Sequence, residues 1–139
     1  MRTDRLRQLA DFLDTLKPDQ FDFDRVRSPC GTVCCAIGWT PTVFPELVTT
    51  DLQSKSLRCT ETLCKEGLHD NKVGFRDIAI ALFGMTYSHA CDLFQPDHAS
   101  PVDGVTLPSD ALPSEVADRL RVYADWADCT NSTGKTKQR

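Results

Sequence analysis

The chain holds no run of apolar residues long enough to cross a bilayer, which argues against a membrane-spanning helix. Histidine is scarce: His69, His89 and His98 are all there is. None stands at a cysteine spacing that marks a known protease or transferase, so no nucleophile–base pair can be read from the chain. A complete phosphate-binding loop is missing as well. Gly134-Lys135-Thr136 copies its end, but the position where the earlier glycine belongs is Cys129. No internal repeat is present. The first residues, MRTDRLRQLADFL, carry acids within their apolar pattern, unlike a secretory signal, and this predicts a cytoplasmic protein. In such a setting Asn131-Ser132-Thr133 is not a glycosylation site.

Cysteine and acid are what the chain has in quantity. Seven cysteines in 139 residues would suggest a disulfide framework outside the cell, whereas a reducing cytosol predicts free thiols. The formal net charge is -4, yet the last ten residues, TNSTGKTKQR, contain three bases and no acid. Residues 1–129 therefore hold 13 bases against 20 acids, a net of -7. That balance disfavours nucleic acid as a partner and suits a basic protein surface. The length and a 40% hydrophobic content fit one folded domain over residues 1–128, followed by a disordered basic tail over 129–139.

The periodicities predict a mainly α, compact helical bundle. Leu6, Leu9, Ala10, Leu13 and Leu16 form one apolar stripe, with Thr3 as the expected N-cap and Pro18 as the stop. Phe21 and Phe23 follow in an extended FDFD link whose rings are expected on the core. FRDIAIALF at 75–83 and TYSHACDLF at 86–94 read as two short helices, separated by Gly84 and capped by Thr86. Pro96 to Pro113 reads as a long surface loop. Pro113 then opens a last helix whose inward stripe is Val116, Ala117, Leu120, Tyr123, Ala124 and Ala127. A small β-hairpin fits between residues 46 and 72.

The densest signal is Ser28 to Pro45, SPCGTVCCAIGWTPTVFP. Val33 to Ile37 offer no polar face, so this segment is expected to be a short buried helix at the centre of the bundle. Gly38 is its expected end, and Pro41 and Pro45 are expected to force a turn.

Three stretches together resemble a family of small bacterial and phage-encoded proteins without an assigned activity. CGTVCCAIGW at 30–39 is similar to that family's CGTxACxxGH-type motif. LFGMTYSHACDLF at 82–94 and LPSEVADRLRVYADWA at 112–127 resemble its FGL-type segment and its closing helix. The likeness covers most of residues 3–127. Cys34 stands where the pattern has alanine, and Trp39 where it has histidine. The resemblance implies an accessory or anti-defence protein rather than a particular reaction.

Several chemistries compete with plain packing as readings of these residues. Cys30 at a helix start could be an activated nucleophile with His69, His89 or His98 as base, the basis of an alternative cysteine-dependent hydrolase or transferase. Cys30 and Cys34, with Cys59, Cys64 or His69, could ligate zinc, although C-x3-C and C-x4-C are loose for a structural site. Cys59 and Cys64 could pair if oxidised. Gly31 and Thr32 could hold an anion at a helix start. In each case buried thiols or an internal cap explain the pattern better, so no catalytic residue, cofactor or metal is assigned.

The favoured expectation is a non-enzymatic interaction module that meets a protein partner, with no membrane association and an open oligomeric state. Its candidate binding residues are the acids Asp11, Asp14, Asp19, Asp22 and Asp24. Trp126 joins them because it lies off the inward stripe of the last helix.

Overall fold

The computed structural model describes residues 2–21, 36–50, 57–63, 75–95, 98–108 and 110–137, the last seven of these as backbone only. The chain is mainly helical with one small hairpin. Helix α1 (Thr3–Leu13) forms on the predicted stripe, and Leu6, Leu9, Ala10 and Leu13 are fully buried. Its cap differs from expectation. Arg2 occupies the N-cap position without a side-chain cap, and the Thr3 hydroxyl instead donates to Asp128 Oδ1 at 2.8 Å. Pro18 begins a 3-10 turn over Pro18–Gln20, and Phe21 is buried behind it as predicted.

Of the predicted central helix, residues 31–35 lie outside the described part. Ala36, Ile37 and Gly38 are buried, as the apolar run requires. Gly38 does not stop the helical backbone. A 3-10 turn over Ile37–Trp39 runs directly into a short helix, α2 (Thr40–Val43). Pro41 is compatible because it sits in the first turn, where its missing N–H costs nothing. Trp39 packs against Phe12 with ring centroids 5.6 Å apart and donates its indole N–H to Gln20 O.

Strand β1 (Val48–Thr50) pairs antiparallel with β2 (Leu57–Cys59), with Val48 opposite Cys59 and both buried. Helices α3 (Phe75–Phe83) and α4 (Tyr87–Phe94) bury Ile78, Ala79, Leu82, Phe83, Ala90, Leu93 and Phe94. Phe83 stacks on Phe94 at 5.8 Å and meets Phe44 edge-on at 6.3 Å. Gly84, at φ 71°, turns the chain between these two helices, a conformation that disfavours any residue with a Cβ. Thr86 caps α4 by accepting from His89 N.

Helix α5 (Pro113–Lys137) carries the predicted inward stripe and packs along α1. The Leu112 amide donates to Glu115 Oε1 at 2.8 Å, half of a capping box. The backbone of α5 is helical through to Lys137, within the stretch expected as a tail. Asn131, Ser132, Thr133 and Gly134 are weak helix formers, but a long helix already nucleated propagates at one hydrogen bond per residue.

Two buried arginines tie the layers together. The last carbonyls of a helix lack intrahelical partners. At the end of α3, Leu82 O accepts from the Arg5 guanidinium and Phe83 O from the Arg2 amide. Near the end of α4, Asp92 O accepts from Arg119 at 2.9 Å.

Candidate functional site

Helix α5 has two unlike flanks. On the side of α1, Arg7 donates to Asp125 at 2.9 Å and lies 2.8 Å from Asp128, which also receives the Thr3 hydroxyl. Hydrogen bonding to Arg7, then to Thr3, lowers the Asp128 carboxyl below its usual range. Arg121 bonds Asp11 at 2.9 Å and also Asp14, with Asp118 farther off at 3.4 Å. Those carboxylates, Asp11 first, raise the Arg121 guanidinium pKa.

Asp11 and Asp14 are exposed, and each is paired with Arg121 across to α5. Asp19 is exposed in the Pro18–Gln20 turn. Asp22 and Asp24 lie outside the described residues. Among the described residues on this side, Asp4, Asp11, Asp14, Asp125 and Asp128 pair with Arg2, Arg7 and Arg121, and Asp118 stands on the edge shared with the other flank.

The other flank of α5 faces α4 and the 98–107 segment, and it contains two grooves. The first, about 190 Å³, lies between the turn at Gly84–Thr86 and the C-terminal half of α5. His89, Tyr123 and Trp126 form its aromatic wall. The His89 ring centroid is 5.4 Å from Tyr123 and 5.9 Å from Trp126, and Tyr123 and Trp126 are 5.5 Å apart. Rings this close touch one another, so they make one continuous wall and leave no slot for a cation between them. His89 Nδ1 is 2.7 Å from the Tyr123 hydroxyl. Burial pushes the Tyr123 pKa up to about 12, so at neutral pH the phenol keeps its proton. When that proton is donated to Nδ1, the ring hydrogen of His89 resides on Nε2. Buried Met85 and Ala127 complete the apolar lining.

The second groove, about 240 Å³, lies beside the N-terminal half of α5. Val105, Leu107 and Val122 supply its apolar surface, and Asp103, Glu115 and Asp118 its charge. Arg119 lies at its base. The guanidinium donates to the carbonyls of Asp92, His98 and Val105, pinning the 98–107 segment to α5. Burial lowers the Arg119 pKa, offset in part by Asp103 and Asp92. The segment folds back on itself through a bridge between Ala99 and Thr106, with Gly104 at φ 73° in the turn.

The cysteine chemistry falls elsewhere. Cys30, Cys34, Cys35, Cys64 and His69, and with them the Gly31–Thr32 corner, lie outside the described residues. Cys59 is buried on β2, Cys91 half-buried on α4 and Cys129 exposed on α5. Of the remaining histidines, His89 is engaged by Tyr123 and His98 lies 3.4 Å from Asp92 Oδ1. No protein-family model, curated protein or solved structure matches this chain.

Sequence reasoning singled out Trp126 but missed Arg119 and the His89–Tyr123 pair. One signal for the pair was available: Tyr123 sits on the inward stripe, and a buried phenol needs a polar partner.

Proposed function

We propose that this chain is a small non-catalytic protein-interaction module whose binding face is the α4-side flank of α5. The observation that carries this is Trp126. Trp126 is 38% exposed although its neighbour Tyr123 is buried, and the exposed Val122 stands one turn away on the same side. Tryptophan backed by a fixed wall is the residue type that most often dominates a protein interface, because its large area is immobilised before binding. The surplus of acid on the surface sets the sign of the partner, which is basic.

In its finer form this reading is that of a phage-encoded accessory or anti-defence protein that occupies a basic site on a host complex. The charge balance and the motif resemblance support that form. The test is affinity capture from host lysate with the wild-type chain, Trp126→Ala and Asp11→Ala in parallel. Partners should be lost with Trp126→Ala and kept with Asp11→Ala. A partner set indifferent to Trp126, in a variant with an unchanged near-ultraviolet circular dichroism spectrum, defeats the proposal.

A further inference from the structure

We infer that the two grooves beside α5 form one track for an extended basic peptide segment. The groove at Trp126 takes an apolar side chain, and the groove at Asp118 takes a lysine or arginine. This inference rests on α5 being the binding face and adds the chemistry of what binds there.

Continuity is the first argument. Val122 lines one groove and Trp126 the other, and residues four apart on a helix are surface neighbours. Both side chains are exposed, so the grooves share a ridge rather than lying on separate faces.

Charge is the second. The groove beside the N-terminal half of α5 has three carboxylates, Asp103, Glu115 and Asp118, against one guanidinium. That guanidinium, Arg119, is buried and directed at three backbone carbonyls. Asp103 and Glu115 accept from the backbone amides of Val105 and Leu112, which orient them without neutralising them. Among the described residues, Asp118 has a long contact to Arg121, whose guanidinium is shared with Asp11 and Asp14. The Trp126 groove, in contrast, has no carboxylate in its lining. A ligand complementary to both must be apolar at one end and basic at the other. A nucleic acid would bring its phosphates against the carboxylates, so it does not fit.

Size and spacing are the third. Volumes near 190 and 240 Å³ each suit one side chain rather than the face of a helix. The α5 residues lining the two grooves are centred about eight positions apart, or ~12 Å along the axis. An extended strand rises ~3.3 Å per residue, so the apolar and basic residues of the ligand should be about four positions apart.

The experiment is a selection of random linear peptides displayed against the full chain. Enriched peptides should pair a large apolar residue with a lysine or arginine about four positions away. A synthetic consensus peptide should then bind at least about tenfold more weakly to Trp126→Ala and to Asp118→Lys, as expected for loss of an interface anchor. Val122→Lys, at an exposed position, provides a second variant should Trp126→Ala fail to fold. Arg7→Ala, on the opposite flank, should leave the affinity unchanged. The inference is overturned by a consensus without basic residues, by equal binding to the variants, or by no enrichment. It is also overturned if sedimentation shows the chain pairing with itself through this face. Basic peptides that depend on the α1 flank instead would overturn this inference and the choice of binding face, and leave standing only that the chain is an interaction module. No enriched peptide together with no captured partner would remove both.

Discussion

The two flanks of α5 solve the same packing problem with opposite chemistry. Towards α1, charge meets charge in water: Arg7 and Arg121 reach carboxylates that are largely exposed. Towards α4, a buried guanidinium meets neutral carbonyls and a buried phenol meets an imidazole. Exposed ion pairs contribute about 0–1 kcal/mol each, because water already solvates both ions and ordering long side chains costs entropy. A buried polar group left without its partner costs more, about 1–3 kcal/mol. Per interaction, the buried partners on the α4 flank therefore weigh more than the exposed ion pairs on the α1 flank. The α4 flank is also the one with open grooves, so stability and the proposed binding share one side of one helix.

The sharpest way to break this contrast is Arg119→Leu. The leucine keeps apolar volume but orphans the carbonyls of Asp92, His98 and Val105. Urea denaturation should show a loss of about 3 kcal/mol. Native-state hydrogen exchange should show the 98–107 segment opening well below the global unfolding energy. A loss within the range of an exposed ion pair would mean that burial does not distinguish the flanks.

Next in size is an alkaline effect. The Tyr123 pKa is raised from 10.0 to about 12 by burial. A folded-state value above the unfolded one gives stability that is complete below pH 10 and lost as pH rises towards 12. The shift corresponds to about 2–3 kcal/mol. Thermal unfolding followed across that window should show the decline, and Tyr123→Phe should flatten it. A decline of the same size in Tyr123→Phe would assign it to other groups. Tyr123→Phe also leaves His89 Nδ1 without its hydroxyl, so its stability at neutral pH should fall by about 1 kcal/mol.

The comparison also separates what was legible in the sequence from what was not. Apolar periodicity exposed α1, α3, α4 and the stripe of α5, because burial of a face is a local pattern. Gly84 and Thr86 were legible as punctuation for the same reason. Arg5 and Arg119 were not. A charged residue beside an apolar stripe looks like surface, and its burial depends on carbonyls supplied by elements 77 and 27 positions away. The ion pairs of Asp11 and Asp14 were not legible either. The two residues cluster in sequence with other acids, yet the cation that claims them, Arg121, comes from the far end of the chain. Pro41 reads from sequence as forcing a turn, because proline disrupts a helix interior, while the structure uses it in a first turn. Trp126 was legible because a large aromatic off the inward stripe must be exposed, but the carboxylates of Asp103 and Glu115 join it only through the fold.

The smallest effects should come from the α1 flank, and their smallness is the point. Arg121→Ala removes the ligand shared by Asp11 and Asp14, yet the cost should stay under about 1 kcal/mol. Raising ionic strength should shrink the difference between wild type and variant, since at 1 M salt the screening length is only about 3 Å. Acid should remove the rest of the clamp. Arg7 and Thr3 hold the Asp128 carboxyl below its ordinary value, so its contribution is present above that value and lost as pH falls through the folded pKa. Acid titration by circular dichroism should therefore show the difference between wild type and Arg7→Ala shrinking as pH falls through the folded Asp128 pKa. If Arg121→Ala instead costs as much as Arg119→Leu and ignores salt, the α1 flank is shielded from water, and the division of labour along α5 is lost.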